Sequence, residues 1–211
     1  MTAVTVPEVD AYLDSLYAGD DPVRAEMEAL ARERRFPIVG PLVGRLLFQL
    51  ARAIGARRVF ELGSGYGYSA LFFARAVGAR GVVHCTDLSD DNVALARGYL
   101  GRAGLWRRVR YHREEACAAL RRVGGEWDVV YNDIDKEGYP AAIELAHDHL
   151  RRGGLFITDN LLWHGRVLPG QDDGSAATAG VREFTRRLFA HKGFVTTILP
   201  VRDGVAVALR L

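Results

Sequence analysis

Lysine is nearly absent from this sequence of 211 residues. Of its 28 cationic residues, only Lys136 and Lys192 are lysine, and the other 26 are arginine. A coding preference for arginine is the simplest account of this excess, and it weakens any argument that arginine clusters bind nucleic acid. Because lysine can release its proton at usable pH and arginine cannot, the two lysines are the better candidates for proton chemistry.

Cysteines and long apolar runs are also scarce. Cys85 and Cys117 lack the spacing of metal ligands, which predicts reduced core thiols in a cytosolic protein. No uncharged apolar stretch reaches about 18 residues, and the acidic start does not fit a signal peptide, so we expect a cytoplasmic protein with no membrane partner. A formal charge of +2 argues against a strongly basic nucleic-acid binder.

Strand-like and helical segments alternate along most of the chain. The strand-like segments are residues 57–62, 81–87, 108–112, 127–133 and 153–159. This alternation predicts right-handed βαβ units and a parallel sheet covered by helices. Two further strand-like segments, 194–201 and 205–211, flank Asp203-Gly204, which is typical of tight hairpins. We therefore expect an α/β fold with a doubly wound sheet, an antiparallel C-terminal hairpin and helices on both faces.

The first part of the chain has a different pattern. Helical spacing predicts helices over residues 7–18, 22–35 and 41–54. We expect residues 1–35 to form a helical appendage and residues 36–211 to form the main domain. The polar, glycine-rich segment 168–180 is predicted to be a mobile loop over the site.

A glycine-rich loop, ELGSGYGYS (residues 61–69), follows the first predicted strand. Glycines allow a sharp turn and close approach to a ligand. Glu61 stands before the loop, where a carboxylate suits a ligand with a cationic amine. Asp87 ends the second strand, where a carboxylate can hold both ribose hydroxyls of a nucleoside. The alternative is a glycine turn that serves packing alone.

Acidic and amide side chains follow the fourth and fifth strands. Asp133, Asp159 and Asn160 are expected to converge, because adjacent strand ends lie about 5 Å apart. Their all-oxygen donor set favours Mg²⁺, with Mn²⁺ or Ca²⁺ as alternatives, over zinc. These residues also fit the role of helix caps. Lys136, three residues past Asp133, is a candidate base for a hydroxyl proton, or a surface lysine paired with a neighbouring acid.

Three residues give weaker signals. Glu115 follows the third strand and fits either a contact with an adenine edge or a helix cap. Trp163 and His164 follow the candidate metal ligands and are placed to wall a substrate pocket. A lone histidine such as His164 is otherwise usually a surface or packing residue.

At these residues the sequence resembles the class I S-adenosylmethionine-dependent methyltransferases. Within them it is similar to the small metal-dependent O-methyltransferases, which include the catechol and caffeoyl-CoA O-methyltransferases. The resemblance covers roughly residues 36 to 211 and rests on FPIVGPLVGRLL, FELGSGYGYSA, the strand-end Asp87, DIDKEGY, GGLFITDNLLWHGRV and the closing hairpin.

The resemblance implies a Rossmann-like seven-stranded sheet and an enzyme that methylates a hydroxyl of a catechol-like or phenolic small molecule. Its implied cofactors are S-adenosylmethionine and a divalent cation, and a homodimer is expected. The implied cofactor-binding residues are Val39, Glu61, Gly63, Gly65, Ser69, Asp87, Glu115, Ala116 and Asp133. Asp133 also joins Asp159 and Asn160 as a metal ligand, and Lys136 is the base.

Other functions remain open from the sequence. One is methylation of 5-hydroxyuridine at the tRNA wobble position, for which arginines 107, 108, 110, 113, 121 and 122 would supply a basic face. A second is an NAD-dependent dehydrogenase, which the presence of Tyr68 at a fingerprint glycine position opposes. A third is a cofactor-binding protein without catalysis.

Overall fold

The computed structural model describes residues 6–17, 19 and 21–211, and within them seven strands form one sheet. The strands are β1 (Arg58–Leu62), β2 (Val82–Thr86), β3 (Val109–His112), β4 (Trp127–Asn132), β5 (Leu150–Thr158), β6 (Phe194–Leu199) and β7 (Val205–Arg210). Their order across the sheet is β3-β2-β1-β4-β5-β7-β6. Strands β1 to β5 are parallel, whereas β7 runs antiparallel to both β5 and β6. The predicted fold is therefore confirmed, with its seven strands and its antiparallel C-terminal hairpin.

Eight α-helices surround the sheet in the described ranges. They are α1 (Pro7–Ser15), α2 (Pro22–Arg34), α3 (Gly40–Ala53), α4 (Tyr68–Ala76), α5 (Asp90–Arg102), α6 (Ala116–Val123), α7 (Tyr139–His149) and α8 (Ala176–Ala190). Short 3₁₀ turns lie at Trp106–Arg108, Lys136–Gly138 and Trp163–Gly165. None of the helices that the structure describes has the length and apolar character needed to cross a bilayer.

Alternating strand residues supply the core on both faces of the sheet. Val59 and Tyr131 lie in one apolar cluster with residues of α2, α3, α4 and α5. Phe60 and Val130, their neighbours in sequence, lie in the other with residues of α6, α7 and α8. This period of two is what a sheet covered on both faces requires.

Helix α2 packs into the same core as the sheet. Met27 is fully buried, and its carbonyl accepts a hydrogen bond from the Tyr66 hydroxyl at 2.9 Å. The division at residue 36 stays a prediction, although α2 is tied to the domain by these contacts. The first helix was predicted to extend to Ala18, a position outside the described residues.

The mobile loop predicted over residues 168–180 is wrong for its last five residues. Helix α8 begins at Ala176, where the Ser175 hydroxyl caps it by accepting from the Thr178 amide at 3.1 Å. Gly180 packs so tightly against the turn at Lys136–Gly138 that an added Cβ would clash with the Lys136 carbonyl. Gly180, which the sequence places in a loop, thus lies in a helix and packs closely against another part of the chain.

Candidate active site

A cavity of about 1600 Å³ opens at the carboxyl ends of the parallel strands. This is the edge at which open α/β sheets bind ligands. Every sequence-predicted site residue except Glu61 lines it: Val39, Gly63, Gly65, Ser69, Asp87, Glu115, Ala116, Asp133, Lys136, Asp159, Asn160, Trp163 and His164. The fold therefore brings the glycine loop and the acidic strand ends to one place.

The glycine loop is held against the neighbouring strand ends. The amide of Gly63 donates to Oγ1 of Thr86 at 2.9 Å, and that hydroxyl donates to the Glu61 carbonyl. Gly63 has a φ of 80°, and an added Cβ would lie 2.6 Å from the Asp133 carbonyl oxygen. Only glycine fits this point, where the chain leaving β1 meets the chain leaving β4.

Glu61 lies fully buried beneath the loop. Its Oε2 accepts from the Cys85 thiol at 3.3 Å, and its Oε1 has no hydrogen-bond partner within the described residues. Burial raises the pKa of Glu61 to about 7, although the hydroxyls of Ser69 and Ser64 and the Cys85 thiol oppose the shift. A buried carboxylate with a free oxygen is suited to pair with a cationic group.

Asp87 and Glu115 are fixed by local hydrogen bonds. Oδ1 of Asp87 accepts from the Ser89 amide at 2.7 Å and from the Asn92 side chain at 3.1 Å. The Glu115 carboxylate accepts from the amides of Cys117 and Ala118 and so caps α6. The sequence suggested two roles for Glu115, an adenine contact and a helix cap, and the carboxylate has the second of these roles. An adenine contact would have to use another part of this residue or Ala116.

Asp133 and Asp159 bring two carboxylates together at the other end of the cavity. Burial raises the pKa of Asp159 to about 7, and repulsion from Asp133 adds to the rise, whereas Lys136 and Arg202 oppose it. The pKa of Asp133 is also raised by burial, against the attraction of Lys136. Oδ1 of Asp159 is buried and has no partner among the described residues.

These features fit a divalent cation. Two repelling carboxylates with an unpartnered oxygen, next to an amide, are oxygen donors of the kind that Mg²⁺ prefers. No group of three His, Cys, Asp or Glu suited to a metal occurs in the described part of the chain. The predicted ligand set, two carboxylates and one amide, includes only two residues of those four types.

Asp203 fixes the amide of Asn160, a role that the sequence did not suggest. Oδ2 of Asp203 accepts from Nδ2 of Asn160 at 3.4 Å, and its Oδ1 accepts from the His164 amide at 2.6 Å. Asn160 has a φ of 60°, a conformation that asparagine tolerates better than most residues. With Nδ2 so engaged, Oδ1 of Asn160 is the atom left for a cation.

Lys136 stands beside this acidic pair. Its Nζ donates to Oδ1 of Asp133 at 3.1 Å and to the Ile134 carbonyl at 3.3 Å. The ammonium also lies 4.8 Å from the centre of the Tyr139 ring and 5.7 Å from that of Trp163. The pairing is thus with Asp133, and not with the Asp135 or Glu137 of the surface alternative.

Trp163 and His164 form the wall beyond Lys136. Nε1 of Trp163 donates to Oγ1 of Thr178 at 3.0 Å, which ties the wall to the first turn of α8. Both residues have positive φ values, 47° and 54°. His164 is about half exposed and lines the cavity, and its Nδ1 lies 3.8 Å from Oδ1 of Asp203.

The clustered arginines are largely engaged within the protein. Arg108 donates to the Ala74 carbonyl, and Arg110 donates to the nearby carbonyls of Arg107 and Val109. Arg113 pairs with Asp90, and Arg122 pairs with Glu114. The two ion pairs offset part of the positive charge that this face would present to RNA, whereas the bonds to neutral carbonyls leave the charges of Arg108 and Arg110 in place.

Comparison with known proteins identifies the family. A family profile described as O-methyltransferase matches residues 27–211. A catechol O-methyltransferase of Mycobacterium tuberculosis is 36% identical over 96% of this chain and 95% of its own length. An O-methyltransferase of Bacillus cereus, solved in complex with SAH, superposes with a TM-score of 0.87 at 26% identity over 97% of each chain. The O-methyltransferase TomG of Streptomyces achromogenes, solved in complex with SAM, gives 0.87 at 28% identity over 96% of each chain.

These matches do not support the dehydrogenase interpretation, since the family and the neighbours are methyltransferases. The enzyme class predicted from the sequence, an S-adenosylmethionine-dependent O-methyltransferase, is confirmed. The chain belongs to the O-methyltransferase family.

Proposed function

We propose that this enzyme methylates a hydroxyl of a catechol-like or phenolic small molecule and requires a divalent cation, Mg²⁺ in the first place. The observation that carries the proposal is the pair of repelling carboxylates, the partly exposed Asp133 and the buried Asp159, beside Lys136 in the cavity that the glycine loop also lines. The relative from M. tuberculosis, named a catechol O-methyltransferase, supports the substrate class.

The methyl donor would lie along the glycine loop. Gly63, Gly65 and Ser69 would hold the methionine portion, with Val39 on the opposite wall. The unpartnered Oε1 of Glu61 would receive the amine. Asp87 would accept hydrogen bonds from the ribose hydroxyls, and Ala116 with the backbone of Glu115 would lie along the adenine.

The residues Asp133, Asp159 and Asn160 would hold the cation. When bound, a divalent cation lowers the pKa of a hydroxyl and orients it. The repulsion between the two carboxylates would be relieved by its charge, which favours ionisation of Asp159. Asp203 would keep Oδ1 of Asn160 turned towards the same point.

Lys136 would take the hydroxyl proton. Its Nζ lies between Asp133 and Trp163, at the boundary of the acidic group and the substrate wall. A cation on Asp133 would place like charge beside the ammonium and disfavour it. Because charge is neutralised as a methyl group moves from sulfonium to oxyanion, alignment and exclusion of water matter more here than an oxyanion hole.

A methyl-transfer screen tests the proposal. The protein is incubated with S-adenosylmethionine and Mg²⁺ on catechol, caffeoyl-CoA and a tRNA that contains 5-hydroxyuridine, each with and without a chelator. We expect methylation of at least one small phenolic substrate, and its loss on chelation with recovery by added Mg²⁺. Full activity in chelator would reject the cation. Methylation of the tRNA alone, with strong salt dependence, would reject the small-molecule substrate.

The predicted homodimer remains part of the proposal. Light scattering of the purified chain tests it, and a monomer at assay concentration would reject it.

A further inference from the structure

Arg202 projects a cation into the substrate end of the cavity. It lies in the turn between β6 and β7, next to Asp203, and lines the cavity together with Trp163 and His164. Its backbone has a φ of 50°, which is uncommon for a residue other than glycine. The side chain is exposed to solvent on the cavity side.

The guanidinium is held in a defined position. Its Nη1 donates to the carbonyls of Ile38, at 3.2 Å, and of Val39. Gly40 leaves room for this approach, since an added Cβ there would clash with the guanidinium. Such anchoring removes part of the rotamer entropy that an arginine loses when it binds a ligand.

The positive charge of Arg202 is not neutralised by an ion pair within the described residues. The adjacent carboxylate of Asp203 accepts instead from His164 and Asn160. Nε and Nη2 of Arg202 make no hydrogen bond among the residues that the structure describes, whereas Arg166, over the Trp163 ring, is paired with Asp173 at 3.2 Å. An anchored guanidinium with free donors is a receptor for carboxylate or phosphate oxygens.

We propose that Arg202 selects hydroxylated aromatic substrates that carry an anionic group. The reacting hydroxyls would lie at Asp133, Asp159 and Lys136, and anionic oxygens elsewhere on the substrate would accept from Nε and Nη2 of Arg202. The carboxylate of an aromatic acid and the phosphates of an acyl-CoA share this chemistry. The inference rests on the function proposed above and names the substrate class within it.

The test compares substrates of different charge in matched variants. We would measure kcat/KM for neutral catechol, for anionic 3,4-dihydroxybenzoate and for caffeoyl-CoA in the parent enzyme, Arg202→Gln and Arg202→Lys. Arg182→Gln is the control, because it removes an exposed cation, paired with Asp172, that does not line the cavity. Binding of S-adenosylhomocysteine, followed by thermal shift, reports whether each variant folds with an intact donor site.

In Arg202→Gln we expect the ratio of anionic to neutral kcat/KM to fall about tenfold or more, as the loss of a charged hydrogen bond predicts. Arg202→Lys should recover part of the ratio, and Arg182→Gln should leave it unchanged. A decline confined to 3,4-dihydroxybenzoate would assign the carboxylate as the partner, and one confined to caffeoyl-CoA would assign the phosphates.

A purely structural role for Arg202, as a tie between the hairpin and the segment before α3, would lower kcat/KM for all substrates alike and leave the ratio unchanged. That result overturns the inference while methylation of catechol still upholds the proposed function. Failure of the parent enzyme to methylate any of the three substrates would instead reject the proposed function, and the inference with it.

Discussion

Nζ of Lys136 donates to Oδ1 of Asp133 at 3.1 Å, so the candidate base is bonded to a candidate metal ligand three positions before it. The lysine side chain is 12% exposed and that of Asp133 is 28% exposed, so the contact is partly shielded from water. Whatever binds Asp133 therefore acts on Lys136 as well. In the proposed reaction, cation binding and proton transfer are linked through a single carboxylate.

Replacing Lys136 with arginine should separate positive charge from proton transfer. Arginine can still pair with Asp133 but cannot accept a proton at usable pH. We expect kcat to fall by about 10²–10⁴-fold, with little change in KM for either substrate. Steady-state kinetics measure the effect, and Lys192→Arg, at the exposed second lysine, is the matched control. Near-normal turnover in Lys136→Arg would contradict the role of the base.

Asp203→Asn should weaken the cation site without touching its proposed ligands. The substituted amide matches the carboxylate in shape but has one acceptor oxygen for two donors. The shorter bond, from the His164 amide at 2.6 Å, should keep that oxygen and leave NH₂ facing Asn160. The amide of Asn160 should then turn, and its oxygen should leave the cation position. We expect the Mg²⁺ concentration for half-maximal activity to rise about 10–100-fold. The control is Asp172→Asn, on the exposed loop before α8, and an unchanged Mg²⁺ dependence would show that Asp203 does not position Asn160.

Glu61→Gln should stabilise the free protein and weaken binding of the methyl donor. Because the pKa of Glu61 rises from 4.5 to about 7 on folding, the folded state binds more protons than the unfolded state between these values. The stability that the protonated Glu61 contributes to the folded state is present at low pH and is lost as pH rises through about 7. We expect Glu61→Gln to unfold with a free energy larger by on the order of 1–3 kcal/mol at about pH 8.

Thermal denaturation at several pH values measures this effect. S-adenosylhomocysteine should stabilise the parent enzyme increasingly as pH rises through the pKa of Glu61, and should stabilise Glu61→Gln much less. Glu183→Gln, at an exposed ion pair with Arg186, is expected to change neither quantity much. Equal stabilisation of Glu61→Gln and parent would refute the amine-binding role.

Gly180→Ala and Gly98→Ala should have opposite effects on stability, although both glycines lie in helices. A Cβ at Gly180 would clash with the backbone of Lys136, so we expect a loss of about 1–3 kcal/mol and a lower kcat as Lys136 is displaced. Gly98 in α5 has open space around it, and alanine there should add up to about 1 kcal/mol. Chemical denaturation measures both, and a neutral Gly180→Ala would mean that α8 shifts freely.

Local patterns in the sequence were sufficient to predict the sheet and most of the cavity. The alternation of strand-like and helical segments identifies the parallel sheet, and the Asp203-Gly204 turn identifies its antiparallel end. Strand ends then bring Asp133, Asp159 and Asn160 to one edge, because every parallel strand ends there. Such inferences need only neighbours in sequence and the general geometry of a sheet.

Contacts between distant positions were not predictable in the same way. Asp203 accepts hydrogen bonds from His164 and Asn160, which precede it in the sequence by 39 and 43 positions. Arg202 donates to the carbonyl of Val39, which precedes it by 163 positions. No local spacing marks such pairs. The start of α8 was missed for a different reason, since its polar and small residues lack an apolar pattern, and its stability comes from the Ser175 cap and the packing of Gly180.

The seam between β1 and β4 has a consequence for how new specificities arise in such an enzyme. The Asp133 amide donates to the Leu62 carbonyl at 2.9 Å, and Gly63 touches the Asp133 carbonyl, so the donor half and the reacting half belong to one rigid block. Arg202 and Trp163 lie on peripheral connections outside this block. Acceptor range can therefore diversify, by natural drift or by engineering, through substitutions at the periphery while the geometry of methyl transfer is inherited unchanged.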